Sequence, residues 1–494
     1  MFEFGACKRC GAVYLSGSVR HTPEGLVFGP RQLPTEHRTW LLAGDTPVVV
    51  GEDDETLEET RRPLDTDDGV LCAGCGALHA AGATGCACGG TRLWPVRRLR
   101  TKSDTVPGCL SCGARGAAMV RQFETGGDAA ASVITTALYQ ALPPAAGGEE
   151  ADQPGEGRKL LLFSDSRQAA AFFAPYLETS YETIQHRRLI LDALSGATEA
   201  DDAAHVDDVA YHLVRVANRA HVFERRRSRQ ERQREMSLWL MTELVATDDR
   251  QSLEGRGLLR VELGREPSWR LPVGLGTLGL SEQETWDLLG ELVRSLRQQG
   301  AITMPDEVDP RDEHFDPRRG PICVRGEAAE PKRKVLSWLP TRGMNRRLDY
   351  VNRVLKAAGS PADPREVLRG CWRFLEGHRD GWLAITHDGR LGVVRQVDHT
   401  WLRLAPVGPD DLMYRCRQCR RLASVSVQDV CTTIGCGGAL EKYAVPAAGQ
   451  DDDHYRHLYR SLHPVPLSAI PGHPERPAQI RIPHRHGGTA QPVR

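Results

Sequence analysis

The stretch KLLLFSDSRQAAAFFAPYLE, residues Lys159–Glu178, decides how the rest of the chain is interpreted. Its apolar run Leu160–Phe163 has no polar break, which is typical of a strand buried on both faces of a parallel sheet. The polar turn Ser164–Ser166 follows and can cap a helix whose apolar positions recur at helical spacing. Ligands of open α/β sheets bind where strands end and helices begin, so we expect a functional site at Ser164–Gln168.

Composition describes an ordinary globular protein. The 494 residues suffice for about three domains, and 40% are hydrophobic and 26% charged. No apolar run approaches the roughly 20 residues of a membrane span, and Met1–Gly5 lacks the features of a signal peptide. We therefore expect a cytoplasmic protein without membrane contact. The net charge of −1 gives no overall attraction to nucleic acid, although Arg225–Arg234 is strongly basic.

Cysteine spacing indicates bound metal. Twelve of the 14 cysteines fall in six close pairs, which in a reducing compartment favours zinc over disulfides. Four pairs lie in the cysteine-rich region 1–125: Cys7/Cys10, Cys72/Cys75, Cys86/Cys88 and Cys109/Cys112. The inner four most simply form one zinc ribbon, and the outer pairs would meet across it as a second site. Crossed pairing and replacement of one cysteine by His79 are the alternatives.

A second ribbon is predicted at residues 411–446. Its cysteines are Cys416, Cys419, Cys431 and Cys436, two knuckles at a spacing typical of structural zinc. Four-cysteine sites leave zinc no open position, so these two or three zinc ions would hold the fold and perform no chemistry. Four arginines surround the first knuckle and are candidates for contact with a phosphate backbone: Arg415, Arg417, Arg420 and Arg421.

Several helices can be placed from local signals. Ser132–Leu142 has a helical apolar repeat, and a second helix is expected at Tyr181–Leu194. The long region 195–410 is predicted to be a mainly helical insertion. Within it, Ser281 and Glu284 form a capping box, and residues 250–330 have the pattern of a winged helix.

An acidic segment, a predicted hairpin and two isolated cysteines remain. Leu33–Asp65 is acidic and is expected to be a solvated insertion with a short strand at Pro47–Val50. Trp382–Thr386 and Leu391–Val397 alternate polar and apolar residues, which predicts a hairpin. Cys323 and Cys371 have no near partner, so we expect buried small hydrophobes rather than metal ligands.

The opening stretch also carries a family resemblance. LLLFSDSRQAAAFFAPYLE resembles motif IV of superfamily 2 DNA helicases, at the start of their second RecA-like domain. The phrase SVITTALYQALP, Ser132–Pro143, and the cysteine segments before it resemble the large bacterial DEAD/DEAH-box type. The resemblance implies that Ser166, Arg167 and Gln168 contact the phosphates of DNA, single-stranded or forked. It also implies a partial second RecA-like domain at 126–194, with its remnant and an irregular tail at 447–494.

The expected fold class is therefore α/β plus small zinc ribbons, a partial RecA-like domain interrupted by the helical insertion. The sequence contains no P-loop of the form GxxxxGK[ST], no DExH motif on an apolar strand and no arginine-finger segment. ATP and Mg²⁺ would then belong only to a complete family member, and this chain would need a partner carrying the first RecA-like domain. After Ala469 the proline-rich tail departs from the family pattern, which suggests that the reading frame changes near Ala469 or that the gene is broken there.

Three interpretations follow from the sequence. The first is a fragment or subunit of an ATP-dependent helicase. The second is a non-catalytic module of zinc ribbons and a winged helix that binds DNA or protein. The third is a decayed gene product.

Overall fold

The computed structural model describes most of the chain between residues 3 and 480. The ranges outside the description are 8–11, 24, 34, 45–64, 102–103, 107, 112–118, 123–126, 148–153, 163–166, 200–201, 224–226, 246–249, 317, 328–333, 342, 379, 390–391, 452, 468 and 471–477. The described strands are β1 (Glu3–Cys7), β2 (Val13–Thr22), β3 (Gly25–Gly29), β4 (Thr39–Ala43), β5 (Thr66–Cys72), β6 (Ala77–Ala80), β7 (Leu93–Leu99), β8 (Val120–Gln122), β9 (Leu160–Leu162), β10 (Ala204–His205), β11 (Leu259–Leu263), β12 (Cys323–Glu327), β13 (Val335–Leu339), β14 (Leu383–Asp388), β15 (Gly392–Val397), β16 (Leu402–Pro406), β17 (Leu412–Cys416), β18 (Leu422–Ala423), β19 (Leu440–Ala444), β20 (Ala469–Ile470) and β21 (Ala478–Ile480). The described helices are α1 (Gly127–Ala141), α2 (Arg167–Ala197), α3 (Val206–Arg219), α4 (Arg229–Val245), α5 (Val273–Gly276), α6 (Glu282–Arg297), α7 (Arg346–Ala357), α8 (Pro364–Gly377) and α9 (His454–Ser461).

The first eight strands form one antiparallel sheet in the order β3-β6-β5-β7-β4-β2-β1-β8. Strand β3 also pairs with β2, so the six strands β3, β6, β5, β7, β4 and β2 form a closed ring of neighbours. Phe28, Leu41, Leu71 and Val96 are buried together as one small core of this sheet. Two of the cysteines lie at strand ends of this sheet, Cys7 at the end of β1 and Cys72 at the end of β5.

The expectation of a solvated insertion at Leu33–Asp65 is wrong for its first part. Thr39–Ala43 is a strand inside the sheet, and Trp40, Leu41 and Leu42 are buried. The apolar run TWLLA pairs with two strands, one of them more than 50 residues later, and this non-local pairing is invisible to a local composition argument. The predicted strand at Pro47–Val50 lies outside the described residues.

The stretch Lys159–Glu178 begins with a strand and continues as a helix, as predicted. Strand β9 ends at Leu162 and helix α2 begins at Arg167. The helix runs for 31 residues through Pro175, so the two helices expected here are one. The predicted helix at Ser132–Leu142 is confirmed as part of α1.

The expectation of a doubly buried strand in a parallel sheet is wrong for β9. It lies in a small sheet of order β20-β21-β9 and pairs antiparallel with β21. Leu161 is 49% exposed. An apolar run shows that a strand is suited to burial but does not supply the neighbours that would bury it, and among the described residues only one strand pairs with β9.

The region 195–410 is a mixture of helices and strands around the largest hydrophobic core. The capping box at Ser281 and Glu284 is confirmed, with both reciprocal hydrogen bonds present at the start of α6. The predicted hairpin is confirmed as β14–β15, and Cys323 and Cys371 are buried as expected.

The winged-helix prediction concerns the strands that follow α6. Within the described residues, α6 is followed by an isolated bridge from Ile302 to Val397, and then β12 pairs in parallel with β13. The winged-helix interpretation of 250–330 therefore stays a prediction. The whole is a mixed α/β structure, and in its described part no helix is both long and apolar enough to cross a membrane.

Candidate metal centres

The four cysteines predicted at 416–436 come together in one cluster. Strand β17 ends at Cys416, whose Sγ atom lies 3.7 Å from Sγ of Cys436. The Sγ atoms of Cys419 and Cys431 are 3.5 Å apart, and all four lie within 4.8 Å of one another. Tetrahedral zinc with Zn–S bonds of about 2.3 Å requires sulfur–sulfur distances of about 3.8 Å. The spacing therefore fits a structural zinc ion held by four thiolates.

The backbone around this cluster is shaped for thiolate. The amide of Cys419 donates to Sγ of Cys416 at 3.5 Å, and the amide of Thr433 donates to Sγ of Cys431 at 3.4 Å. Hydrogen bonds, first of all from Cys431, lower the pKa of Cys416 to about 6 and the pKa of Cys419 far below its ordinary value. A Cβ on Gly438 would lie 2.7 Å from Sγ of Cys416, so the loop can close over the cluster only with glycine there.

Helix α7 contacts the second knuckle of this cluster, residues Cys431–Cys436, through hydrogen bonds to its backbone. The Arg353 guanidinium donates to the carbonyl oxygens of Cys431 at 2.7 Å, Cys436 at 2.9 Å and Thr433 at 3.1 Å. Asp349, one helical turn earlier, accepts from both Nε and Nη2 of Arg353, at 3.0 and 2.7 Å. The same Asp349 oxygen accepts from the amide of Gly435 at 3.1 Å. Two residues of the insertion therefore position the loop that carries two of the four sulfur ligands.

Sequence reasoning missed this pair of residues. Asp349 and Arg353 are four apart on a helix, a spacing typical of exposed ion pairs of small energetic value. Here their side chains are only 11% and 19% exposed, because the knuckle covers them. No local signal distinguishes the two cases.

The inner cysteines of the N-terminal region form the other four-thiol cluster. Cys72, at the end of β5, lies 3.6 Å from Cys88 between Sγ atoms, and Cys75 lies 3.5 Å from Cys86. All four sulfurs lie within 4.8 Å of one another, so this set also fits one zinc ion without His79. The amide of Gly90 donates to Sγ of Cys88 at 3.4 Å.

The outer pairs are described only in part. Cys7 and Cys109 are buried in one hydrophobic cluster with Tyr14, whose hydroxyl donates to Sγ of Cys109 at 3.4 Å. Burial, and then the nearby Cys109, raise the pKa of Tyr14 far above its ordinary value. Cys10 and Cys112 lie outside the described residues, so the complete four-ligand set stays a prediction.

The regions of the two ribbons touch. Ile434, within the second knuckle of the 416–436 cluster, is buried in the same hydrophobic cluster as Cys7 and Cys109. Residues more than 300 positions apart thus share one small core.

The predicted DNA-contacting residues are described least. Ser166 lies outside the described residues, and Arg167 and Gln168 open α2 in a part of the helix where the side chains are not described. Their contact with phosphate stays a prediction.

The two basic candidate segments have local partners. Arg415 and Arg417, beside the first knuckle, both pair with Glu441, at 3.7 and 2.9 Å. In the basic stretch that leads into α4 and forms its first turns, Arg227 pairs with Glu235, and Arg232 donates to Asn218 at 2.8 Å. These contacts favour a solvated face over a preformed DNA surface.

A buried ion cluster lies beside the 416–436 region. Glu254 pairs with both Arg294 and Arg297 of α6 at 2.7 Å, and Arg294 also pairs with Glu291 at 2.9 Å. Burial alone would raise the pKa of Glu254, but the two guanidinium groups outweigh it and lower the pKa to about 2.

Comparison with known protein families matches the N-terminal part of the chain. Residues 1–124 are similar to the family described as YjiV N-terminal domain, a segment that ends just after β8 and includes the inner cysteine cluster. No curated protein and no solved structure matches the chain.

Proposed function

We propose that this chain is a fragment or subunit of an ATP-dependent superfamily 2 DNA helicase. In this proposal it supplies zinc-stabilised DNA binding and the start of the second RecA-like domain. The observation that carries the proposal is the resemblance of residues 160–178 to motif IV. The chain supports it with a strand ending at Leu162 and a helix beginning at Arg167, the order of elements that the motif requires.

Zinc has a structural role in the proposal. The two clusters of four cysteines would each hold one ion, and a third site would use Cys7, Cys10, Cys109 and Cys112. The shared burial of Cys7 and Cys109 supports this third site. A bound structural zinc ion supplies folding free energy and offers no open coordination position. Removal of the metal is therefore expected to unfold the knuckles rather than to stop a reaction.

The motor chemistry must come from elsewhere. Because the sequence has no P-loop, this chain would act with a partner chain that carries the first RecA-like domain and binds ATP and Mg²⁺. The RecA-like character of 126–194 and the winged-helix character of 250–330 belong to this proposal.

DNA binding by the purified, zinc-loaded chain tests the proposal. We expect it to bind single-stranded or forked DNA with an affinity that falls steeply with salt and is unchanged by ATP. Arg167→Ala should weaken binding to all sequences and reduce the slope of log affinity against log salt by about 1. Arg373→Ala removes the same charge from an exposed position on α8 and serves as the control. Equal effects of the two substitutions would count against a phosphate contact at Arg167.

A second candidate function is a non-catalytic binding module. The antiparallel pairing of β9 with β21 favours it, because motor domains of this class are built on parallel sheets. The two candidates differ in their need for a motor partner. Stimulation of a DNA-dependent ATPase by this chain, lost in Arg167→Ala, would support the helicase role; DNA binding without any such stimulation would support the module.

A further inference from the structure

A cavity of about 350 Å³ lies between helix α6 and strand β11. Its size is within the range of small-ligand pockets, roughly 300–1,000 Å³. One face of α6 lines it with Gln283, Asp287, Gly290 and Arg294, which follow each other at helical spacing. Ser424 and Val425 of the second ribbon region also line it. The cavity therefore lies where the insertion meets a zinc-binding region.

Gly290 is the first indication of a ligand. It lies in the interior of α6, where glycine is less stable than alanine because it loses more conformational freedom. A Cβ built on it would meet no described atom within 4 Å beyond the local helix backbone. Packing within the described chain leaves room for a side chain here, so glycine keeps this wall of the cavity open to a ligand.

Asp287 is the second indication. It is half-buried and lines the cavity, and it accepts a hydrogen bond from Nε2 of Gln283 at 2.8 Å. Among the described residues no cationic side chain pairs with it, whereas the other lining carboxylates are paired: Glu291 with Arg294, and Glu262 with Arg260 at 2.7 Å. Burial, and then the carboxylate of Glu291, raise its pKa. The ionised Asp287 carboxylate is therefore destabilised where it lies, and a donor from a ligand would stabilise it.

Arg265 supplies a planar donor in the same cavity. Its guanidinium carbon lies 4.6 Å from the ring centroid of Trp286, which is only 6% exposed. The Trp286 ring therefore makes a cation–π contact with the guanidinium. In the described part of the chain no carboxylate pairs with this guanidinium, and the side chain is exposed.

These groups select the chemical class of the ligand. A phosphate would meet three carboxylates in the lining, namely Glu262, Asp287 and Glu291, two of the three cationic lining residues being already engaged by Glu254. A neutral planar ring that carries an amino group suits both side chains, because the amino group can donate to Asp287 while the ring face stacks on the Arg265 guanidinium, and nucleobases such as adenine and cytosine have this pattern. Stacking of a base on a guanidinium plane is a recurrent mode of recognition in proteins that bind single strands.

We propose that this cavity binds a nucleobase, with an amino group of the ring donating to the Asp287 carboxylate and the ring stacked on the Arg265 guanidinium. A base extruded from a bound strand and a free nucleoside offer the same chemistry. Only the first source rests on the proposed DNA-binding function. The proposal that the cavity binds a base depends only on the side chains that line it.

The experiment uses the full, zinc-loaded chain and calorimetric titration with each of the four deoxynucleosides. At least one should bind saturably, and Asp287→Ala should weaken that binding at least about tenfold because a hydrogen bond to a charged group is lost. Gly290→Leu should abolish it by projecting a side chain into the space that the base would occupy. Gly290→Ala should also weaken nucleoside binding, because its methyl group projects into the open space of the cavity, and alanine is well tolerated in a helix. Glu282→Gln, exposed on α6 and outside the cavity, should bind like the parent chain.

A second arm separates the two sources of the base. Single-stranded oligonucleotides are compared with matched oligonucleotides carrying abasic positions. If strands bind but lose nothing when bases are removed, and no nucleoside binds, the cavity proposal is overturned while DNA binding stands. If a nucleoside binds and strands do not, the cavity proposal stands and the proposed function falls. Nucleoside binding unaffected by Asp287→Ala and by both Gly290 variants also overturns the cavity proposal.

Discussion

Replacement of Arg353 by alanine is the sharpest test of how the insertion and the second ribbon depend on each other. The side chain donates to three carbonyl oxygens of the second knuckle and twice to Asp349. Its removal leaves those carbonyls to water and leaves Asp349 with the amide of Gly435 as a donor. Loss of a group that orients metal ligands typically costs about 10- to 100-fold in metal affinity, or about 1.4–2.8 kcal/mol. The Arg353 side chain is only 19% exposed, so we expect a loss within this range at the 416–436 cluster.

The assay is competition for zinc by a chelator, with the Cys72–Cys88 cluster as an internal reference. Arg353→Ala should release the zinc ion of the 416–436 cluster more easily and leave the ion of the Cys72–Cys88 cluster unchanged. Arg353→Lys should rescue only in part, because an ammonium group cannot reproduce the guanidinium fork. Lys356→Ala, exposed on the same helix, is the matched control. Unchanged affinity at the 416–436 cluster in a folded variant, or an equal loss at both clusters, would refute the reasoning.

The remaining predictions concern the ion cluster, the cavity and the knuckle. Glu254→Gln should destabilise the protein by about 3–5 kcal/mol in chemical denaturation, because it removes the carboxylate that pairs with the buried Arg297 guanidinium and one of the two carboxylates that pair with Arg294; a loss under 1 kcal/mol would contradict this. The pKa of Glu254 is lowered from 4.5 to about 2, so its ionisation contributes about 3 kcal/mol that is present above pH 4.5 and lost as the pH falls towards 2; the Gln variant should lack this acid-dependent loss. Asp287→Asn should stabilise the protein at pH 7, because its raised pKa makes the ionised form costly, and the gain should vanish at acid pH where Asp287 is protonated; a stability difference independent of pH would refute the assignment. Gly438→Ala should weaken zinc binding at the 416–436 cluster, whereas Gly437→Ala, whose Cβ would come no closer than 3.8 Å to any described atom, should not; equal metal affinity in the two variants would show that the loop adjusts.

Local signals in the sequence predicted local structure well. The capping box at Ser281 and the hairpin β14–β15 both depend on contacts within a few residues, and both are present. The composition of each cysteine cluster was predictable for the same reason. Knuckle spacing limits which thiols can reach one ion, and the structure brings together the two predicted sets of four.

The neighbours of a strand were not predictable from its own residues. The run LLLF suits a strand buried on both faces, yet β9 has one described neighbour and Leu161 is half exposed. The segment TWLLA, within an acidic stretch, became an inner strand because partners far away in the chain pair with both of its edges. Strand pairing is a non-local property, so hydrophobic pattern alone specifies suitability and not position.

The sequence by itself determined which residues can cap helices, turn knuckles and bind zinc, because those properties depend on side-chain chemistry and short spacing. Only the tertiary structure decided that Arg353 supports a knuckle about 80 residues later, and that Gly290, Asp287 and Arg265 line one cavity. The physical reason is that hydrogen bonding and burial act through space. A helix face looks the same in sequence whether solvent, another chain segment or a ligand will cover it.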